Sequence, residues 1–308
     1  MSDGYDTRRS VLAGLMASAC GLALSGCAGP ASAPRDPRLP PASDNALRVA
    51  TFNIRYLDLT ERAVDGPLGM DAWQARWPLL RAALAEIDAD LIAFQEVESW
   101  TGEPQGSPTV QRDWLTAHLA AYGVAAASGH GGRETGQPIF YRRARFGFLD
   151  EGCASLGDAP GLAGAVAGYP DRITWARLQD RRTGQRLTAI NLHLHFSDHL
   201  RRQSGAYGAI DIVETARARG DAVLVLGDFN EFADARALRL FQEEGLVLVP
   251  SSGASYHFNG GLHLYGAIDH ILHGEGLRAE SEAQVYRAGQ AGRYPSDHYP
   301  VWVDLAPY

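Results

Sequence analysis

The sequence predicts an α/β fold in which mixed β-sheets are covered by helices on the outside. Two observations carry that expectation. Short apolar, β-prone runs recur from Leu47 to Leu305. Some are joined directly through turns, others through segments whose apolar residues recur at helical spacing.

Taken in order, Leu47–Ile54 is apolar and β-prone, and reads as the first strand. Trp73, Trp77, Leu80, Leu84 and Ile87 then fall on one helical face, with Asp71 as the expected N-cap. Asp90–Glu96 is a short buried strand ending in a carboxylate. Ser107-Pro108 is expected to open a second helix with Trp114, Leu115 and Leu119 on its face. Four strands follow, at Pro138–Arg142, Phe146–Glu151, Ile173–Arg182 and Arg186–Leu194, the last two forming a hairpin about Thr183-Gly184. A long helix over Ser197–Ala218 leads to the strongly apolar strand Asp221–Leu226. A helix over Ala233–Glu244 and closing strands at Ala267–Leu272 and Pro300–Leu305 complete the chain. Glycine-rich stretches near 129–136 and 157–168 read as surface loops, and no internal repeat is visible.

Composition narrows the chemistry. All 28 basic residues are arginine, so no Schiff-base lysine and no Walker-type phosphate loop is available. Cys20, Cys27 and Cys153 are too few and too scattered for a zinc ribbon or a disulfide scaffold. Residues 1–44 carry four arginines and four acids, so the net charge of -8 falls on the rest of the chain. That balance argues against a generic polyanion binder.

The first 26 residues read as a signal peptide. Arg8-Arg9 precedes an apolar run, Val11–Leu24, of 14 residues, short of the roughly 20 that span a bilayer. The arginine pair resembles a twin-arginine export signal, and Leu24-Ser25-Gly26-Cys27 resembles a lipoprotein box with Cys27 as the lipidated residue. Residues 27–45, with five prolines, form a tether. The domain is then 46–308, exported and lipid-anchored at the periplasmic or outer face of the cell envelope. Cys153 is its one thiol, expected to pack as a small buried hydrophobe.

Chemistry gathers where strands end. Asn53, Glu96, His193, Asp228-Phe229-Asn230 and Asp269 each close or follow an apolar run, and Asp297-His298 precedes the last one. Each also has an ordinary reading: a turn cap for Asn53, an arginine pair for Glu96, an Asx turn for Asp228, a satisfied core histidine for His193. Together they would bring several carboxylates to one sheet rim, where a cation or hydrogen bonds must offset their repulsion.

The set TFNIR, FQEV, INLHLH, LGDFN, AIDHIL and SDHYPV, with PIFYR and RITWARL between, resembles the endonuclease/exonuclease/phosphatase superfamily of DNase I, exonuclease III, neutral sphingomyelinases and inositol polyphosphate 5-phosphatases. The resemblance spans nearly all of 46–306. It implies a four-layer α/β sandwich, DNase I-like, with two mixed sheets face to face and helices outside. It also implies a Mg²⁺- or Mn²⁺-dependent phosphoric ester hydrolase, oxygen ligands suiting those ions better than zinc. By resemblance Glu96 is the principal metal ligand, with Asn53 and Asp297 nearby. Asp228 positions or deprotonates the attacking water, and Asn230 bonds that water or the phosphate. His298 contacts the phosphate, oriented by Asp269, and His193 contacts a phosphoryl oxygen or the leaving group. The division of acid and base roles among Asp228, His193 and His298 stays open.

Three positions depart from near relatives: His195 where many carry Asp, Ala267 where many carry Arg, and His270 where many carry Tyr. Arg172 matches a relatives' arginine, as a phosphate contact or a structural ion pair. Tyr256-His257-Phe258 reads as a substrate-side loop or a solvated turn. Substrates implied are phosphate esters: a phospholipid head group, a nucleotide or nucleic acid, the acidic domain weighing against a DNA groove. A non-catalytic binding protein on the same fold would have lost Glu96, Asp228 or His298, and all three are present.

Overall fold

The computed structural model describes residues 39, 46–63, 66–101, 109–127, 136–155 and 172–307. The signal peptide, Cys27, nearly all of the tether, Ser107-Pro108 and most of the two glycine-rich stretches lie outside the described residues.

Strands apolar on both faces set the layers. In β1 (Leu47–Asn53) every residue is buried. Leu47 and Val49 join one apolar cluster, while Ala50 and Phe52 join another, as the two-residue period of a strand requires. The strand β3 (Leu91–Gln95) divides the same way, Leu91 and Ala93 against Ile92 and Phe94. In β10 (Ala222–Asp228), Leu224 and Leu226 share the cluster of Val49 and Leu91, whereas Val223 and Val225 face a third.

The shared cluster lies between two sheets. The first runs β13-β15-β1-β3-β6-β5, with β14 beside β15; its other members are β5 (Tyr122–Ala125), β6 (Ile139–Arg142), β13 (Leu277–Ala279), β14 (Gln284–Val285) and β15 (Val301–Pro307). The second runs β11-β12-β10-β9-β8-β7. It contains β7 (Phe146–Ser155), β8 (Arg172–Asp180), β9 (Arg186–His193), β11 (Val247–Leu248) and β12 (Asp269–His273). A short parallel pair, β2 (Leu57–Asp58) and β4 (Ser99–Trp100), stands apart.

Helices cover the outer faces. Trp73, Leu80 and Leu84 of α1 (Met70–Ile87), with Trp114 and Leu115 of α2 (Val110–His118), pack on the first sheet. Ala206, Ala209 and Val213 of α3 (His199–Ala218), with Leu238 and Phe241 of α4 (Arg236–Glu243), pack on the second. The result is a four-layer α/β sandwich.

The two sheets share one plan that no sequence repeat announces. Each has a central parallel pair, β1 with β3 and β9 with β10, connected through a helix, α1 or α3. Each pair is flanked by antiparallel strands.

Three expectations are corrected. Asp71 is not the N-cap of α1; Gly69 is, and Asp71 sits in the first turn, where its charge complements the helix dipole. Cys153 is half-buried rather than core, because β7 is an edge strand; such burial as it has still pushes its thiol pKa up. Asp198 caps α3 by accepting from Leu200 N and Arg201 N, so the helix starts two residues later than its sequence signal.

Candidate active site

Parallel strands end on the same edge of a sheet, and four of the named residues stand at such ends. Asn53 closes β1 opposite Gln95, with Glu96 next in the chain. His193 closes β9 opposite Asp228, which closes β10. The antiparallel β12 begins at that edge, so Asp269 lies opposite Asp228. Strand parity then aims them. Asn53, His193, Asp228 and Asp269 lie in step with the inward-facing Val49, Ala189, Leu226 and Ile271, so all four point into the mouth between the sheets. Glu96 is one residue out of step; its left-handed φ of 57° turns the chain and brings the carboxylate back.

One amide joins the two sheets. Asn53 Nδ2 donates to Glu96 Oε1 at 3.1 Å and to Asp228 Oδ2 at 3.0 Å. Its Oδ1 accepts from Arg55 N at 3.0 Å, so Asn53 faces the carboxylates with its nitrogen. Glu96 Oε2 accepts from Tyr56 N at 3.1 Å. Asp228 Oδ2 stands 3.6 Å from His193 Nε2 on one side and 3.6 Å from His298 Nε2 on the other. His298 Nδ1 pairs with Asp269 Oδ2 at 2.9 Å. Asn230, at φ 50°, donates its backbone N to Asp228 Oδ1 at 2.9 Å and its Nδ2 to Leu194 O at 2.9 Å. Asp297 is held by Ser296 Oγ at 3.2 Å, with Arg55 Nε 3.6 Å away.

These positions set the charges. Burial raises the pKa of Asp228, and the Asp269 carboxylate raises it further, against the pull of the two histidines. Burial alone would deprotonate His298, but the Asp269 and Asp228 carboxylates outweigh it and hold the imidazole up at about 10. The direction supported by the geometry is a cationic His298 between two carboxylates.

Ligand atoms of Asp228, Asp269 and His298 lie within 4.8 Å of one another. The His298 ring already bridges that group, so the candidate oxygen ligands for an ion are the carboxylates of Glu96, which also accepts from Asn53 and Tyr56, and of Asp297. The donors there are carboxylates with no thiol among them, and Asp269 Oδ1 is buried without a hydrogen-bond partner. The set fits a hard divalent cation.

The departures from near relatives take structural duties. His195 Nδ1 accepts from Ser197 N at 3.3 Å and Asp198 N at 3.1 Å, turning the chain into α3. His270 Nε2 bonds Glu231 O at 2.9 Å, and burial lowers its pKa to about 4. Ala267 is buried just ahead of β12. Arg172 opens β8 at the edge where Ile173 pairs with Leu192. Tyr256 bridges to His298 along the backbone, and their rings lie 4.9 Å apart.

Several supporting residues escape sequence reading. Arg76, buried on α1, donates to Ile54 O at 2.8 Å and Pro295 O at 3.0 Å, tying the exit of β1 to the segment carrying Asp297. Burial, then the neighbouring Arg55, lower its pKa to about 10, while Asp297 and Glu96 act the other way, which places both carboxylates within its reach. The signal was a charge three residues after Trp73 on an apolar stripe. Behind the site, Gln95 Nε2 donates to Asn191 Oδ1 at 2.7 Å across the sandwich, and to Thr51 Oγ1 at 3.0 Å. Asn191 Nδ2 donates in turn to Phe94 O at 2.8 Å. Ser255 Oγ accepts from Ile268 N and Asp269 N, fixing the start of β12.

The model of the endonuclease/exonuclease/phosphatase family matches residues 50–298. No curated protein matches the chain in sequence. Among solved structures, an endonuclease/exonuclease/phosphatase family protein from Bacteroides thetaiotaomicron is 23% identical, with a TM-score of 0.68 over 84% of this chain and 97% of its own. The mannosyl-6-phosphatase of Bacteroides thetaiotaomicron is likewise 23% identical, at 0.68 over 84% and 99%. The human Nocturnin catalytic domain is 17% identical, at 0.61 over 86% and 94%. At these identities the likeness is one of fold.

Proposed function

The chain belongs to the endonuclease/exonuclease/phosphatase family, and on that footing we propose that it hydrolyses phosphate esters by in-line attack of an activated water. One observation carries the reading: a buried carboxylate, Asp228, flanked at 3.6 Å by the Nε2 atoms of His193 and His298.

A phosphate ester resists water because its own negative charge repels the nucleophile. Asp228, its pKa raised by burial and by Asp269, is suited to accept a proton from that water. Asn230 holds Asp228 in place through its backbone N. His298, kept cationic by Asp269 and Asp228, presents a proton on Nε2 to a phosphoryl oxygen. His193 faces Asp228 from the other side, where it contacts a phosphoryl oxygen or the leaving oxygen. Glu96, with Asp297, would hold Mg²⁺ or Mn²⁺, and Asn53 serves as the amide that spaces Glu96 from Asp228. A divalent cation bound there supplies charge neutralisation on the phosphoryl oxygens.

The amino-terminal residues extend the proposal to an exported protein anchored at the cell envelope through Cys27. Such a placement suits phosphate esters met outside the cytoplasm. The mannosyl-6-phosphatase among the structural neighbours makes sugar phosphates a sensible addition to the trial substrates.

The experiment is a turnover panel of sugar phosphates, inositol phosphates, sphingomyelin, bis-p-nitrophenyl phosphate and plasmid DNA. Asp228→Asn and His298→Ala should each lower turnover about 10²- to 10⁴-fold with unchanged circular dichroism. EDTA should abolish activity and Mg²⁺ or Mn²⁺ restore it. Full activity in either variant refutes the assignment.

A further inference from the structure

A run of rings leaves the site and reaches the surface. The Tyr256 ring lies 4.9 Å from His298, Phe258 lies 4.5 Å from Tyr256, Tyr265 lies 6.3 Å from Phe258, and Phe232 lies 6.0 Å from Tyr265. The inner two are half-buried, whereas Phe232 and Tyr265 are 44% and 43% exposed. They come from two loops: Phe232 follows Asn230 after β10, and the others precede Asp269 at β12. Those strands carry the paired Asp228 and Asp269. A wall built on both sides of the reacting carboxylates is therefore continuous with them.

The wall is held still. Tyr256 is bridged to His298, and His257 N donates to Asp297 O at 2.9 Å. Phe258 and Asn259 both take left-handed backbone, at φ 57° and 55°. That is costly for side-chain-bearing residues and persists only where surroundings enforce it. Gly260 N and Leu262 N, both bonded to His257 O, supply the enforcement.

The longer of the two loops lacks fixed charge, and in the shorter, which holds Phe232, the charges are acidic: Glu231, paired with Arg202 at 2.5 Å, and the exposed Asp234. No Asp, Glu, Arg or Lys occurs from Ala254 through Ile268. A loop meant to grip further phosphates would carry cations. Exposed aromatic faces with no cation on either loop suit an uncharged ring, which stacks on them through its flat face. We propose, resting on the phosphoesterase reading above, that Tyr256, Phe258, Tyr265 and Phe232 form a subsite for an uncharged, flat-faced ring, aromatic or pyranose, bonded through oxygen to the phosphate held at Asp228 and His298.

The test uses the purified full-length protein with Mg²⁺. Calorimetric titration compares benzylphosphonate with methylphosphonate, and hydrolysis compares benzyl phosphate with methyl phosphate. Benzyl is expected to exceed methyl about tenfold in affinity. Phe232→Ala with Tyr265→Ala should bring the ratio close to one, while Val247→Ala, exposed on β11, should keep it. Adenosine 5′-monophosphate and mannose 6-phosphate then separate the two kinds of ring. Equal affinities in the wild type, or a ratio surviving in the double variant, overturn the subsite. So does a ratio of one together with phosphatidylcholine vesicle binding lost on Leu262→Ala and Leu264→Ala, which would assign the surface to lipid. A benzyl preference in binding, without hydrolysis of either ester, supports the subsite and instead overturns the phosphoesterase reading.

Discussion

Replacing Gly227 by alanine should damage stability and activity together. Gly227 precedes Asp228 on β10, at φ 154°. A Cβ there would stand 2.0 Å from Leu192 O and 2.8 Å from Leu192 C, both backbone atoms of β9 that cannot swing aside. Ordinary contact begins near 3.4 Å, so the strands must part by roughly 1.4 Å to accept the methyl group. That strains the ladder where Gly227 pairs with Leu192 and should cost about 3 kcal/mol, or about 6–12 °C in Tm for a domain of this size. The next pair in register is Asp228 with His193, so the same displacement falls on the reacting groups. A misplacement of about 1 Å can cost ~10²-fold in rate, which sets the expected fall in kcat. Gly184→Ala separates the contributions: it sits in a hairpin at φ 74° with nothing within 4 Å, so only the backbone penalty of about 1–2 kcal/mol applies. Differential scanning fluorimetry and steady-state kinetics read both variants. Gly227→Ala with wild-type Tm and turnover, or Gly184→Ala as damaging as Gly227→Ala, would refute the close-approach argument.

Two further outcomes follow from the charges and the clamp. His298 rests at about 10 against an ordinary 6.5, a gap of roughly 5 kcal/mol at 1.36 per unit. A raised folded-state value means that this contribution is complete below pH 6.5 and is lost as pH climbs to about 10. Urea unfolding with EDTA at pH 6, 8 and 10 should show that loss, and Asp269→Asn should flatten it; an equally steep profile in the variant would contradict the pairing. Arg76→Met leaves Ile54 O and Pro295 O without their donor. It should cost about 1–3 kcal/mol and weaken Mn²⁺ binding followed by electron paramagnetic resonance, whereas an unchanged Kd would mean the clamp does not shape the carboxylates.

The strands bearing chemistry were readable because they are buried on both faces. Leu91–Gln95 and Ala222–Asp228 are unbroken apolar runs with polar ends, and a polar residue closing such a run stands at a sheet edge. The long helices were readable from Trp73, Leu80 and Leu84, but their starts were not, since Gly69 caps α1 without a side-chain bond. Short edge strands such as β2, β4 and β11 left little trace, two residues being too few for any period. Sheet order was hidden as well, because pairing β1 with β15 joins opposite ends of the chain. Asn53 illustrates the limit for the site. Its place was evident from β1, yet the direction of its amide depends on Arg55 N, Glu96 and Asp228 acting at once.

The hydrogen bond between Gln95 and Asn191 has a bearing on how the sandwich is aligned. Two aliphatic surfaces pressed together attract without direction, and a slide by one residue, about 3.3 Å along a strand, would still leave leucine against valine. A polar couple buried at the rim of that surface, just behind the site, has one satisfied offset, and every other leaves a buried amide unpaired, at about 1–3 kcal/mol for each group. Glu96 follows Gln95 directly, and His193 lies two residues beyond Asn191. The amide couple therefore acts as a dowel, and the opposing halves of the site inherit their alignment from it.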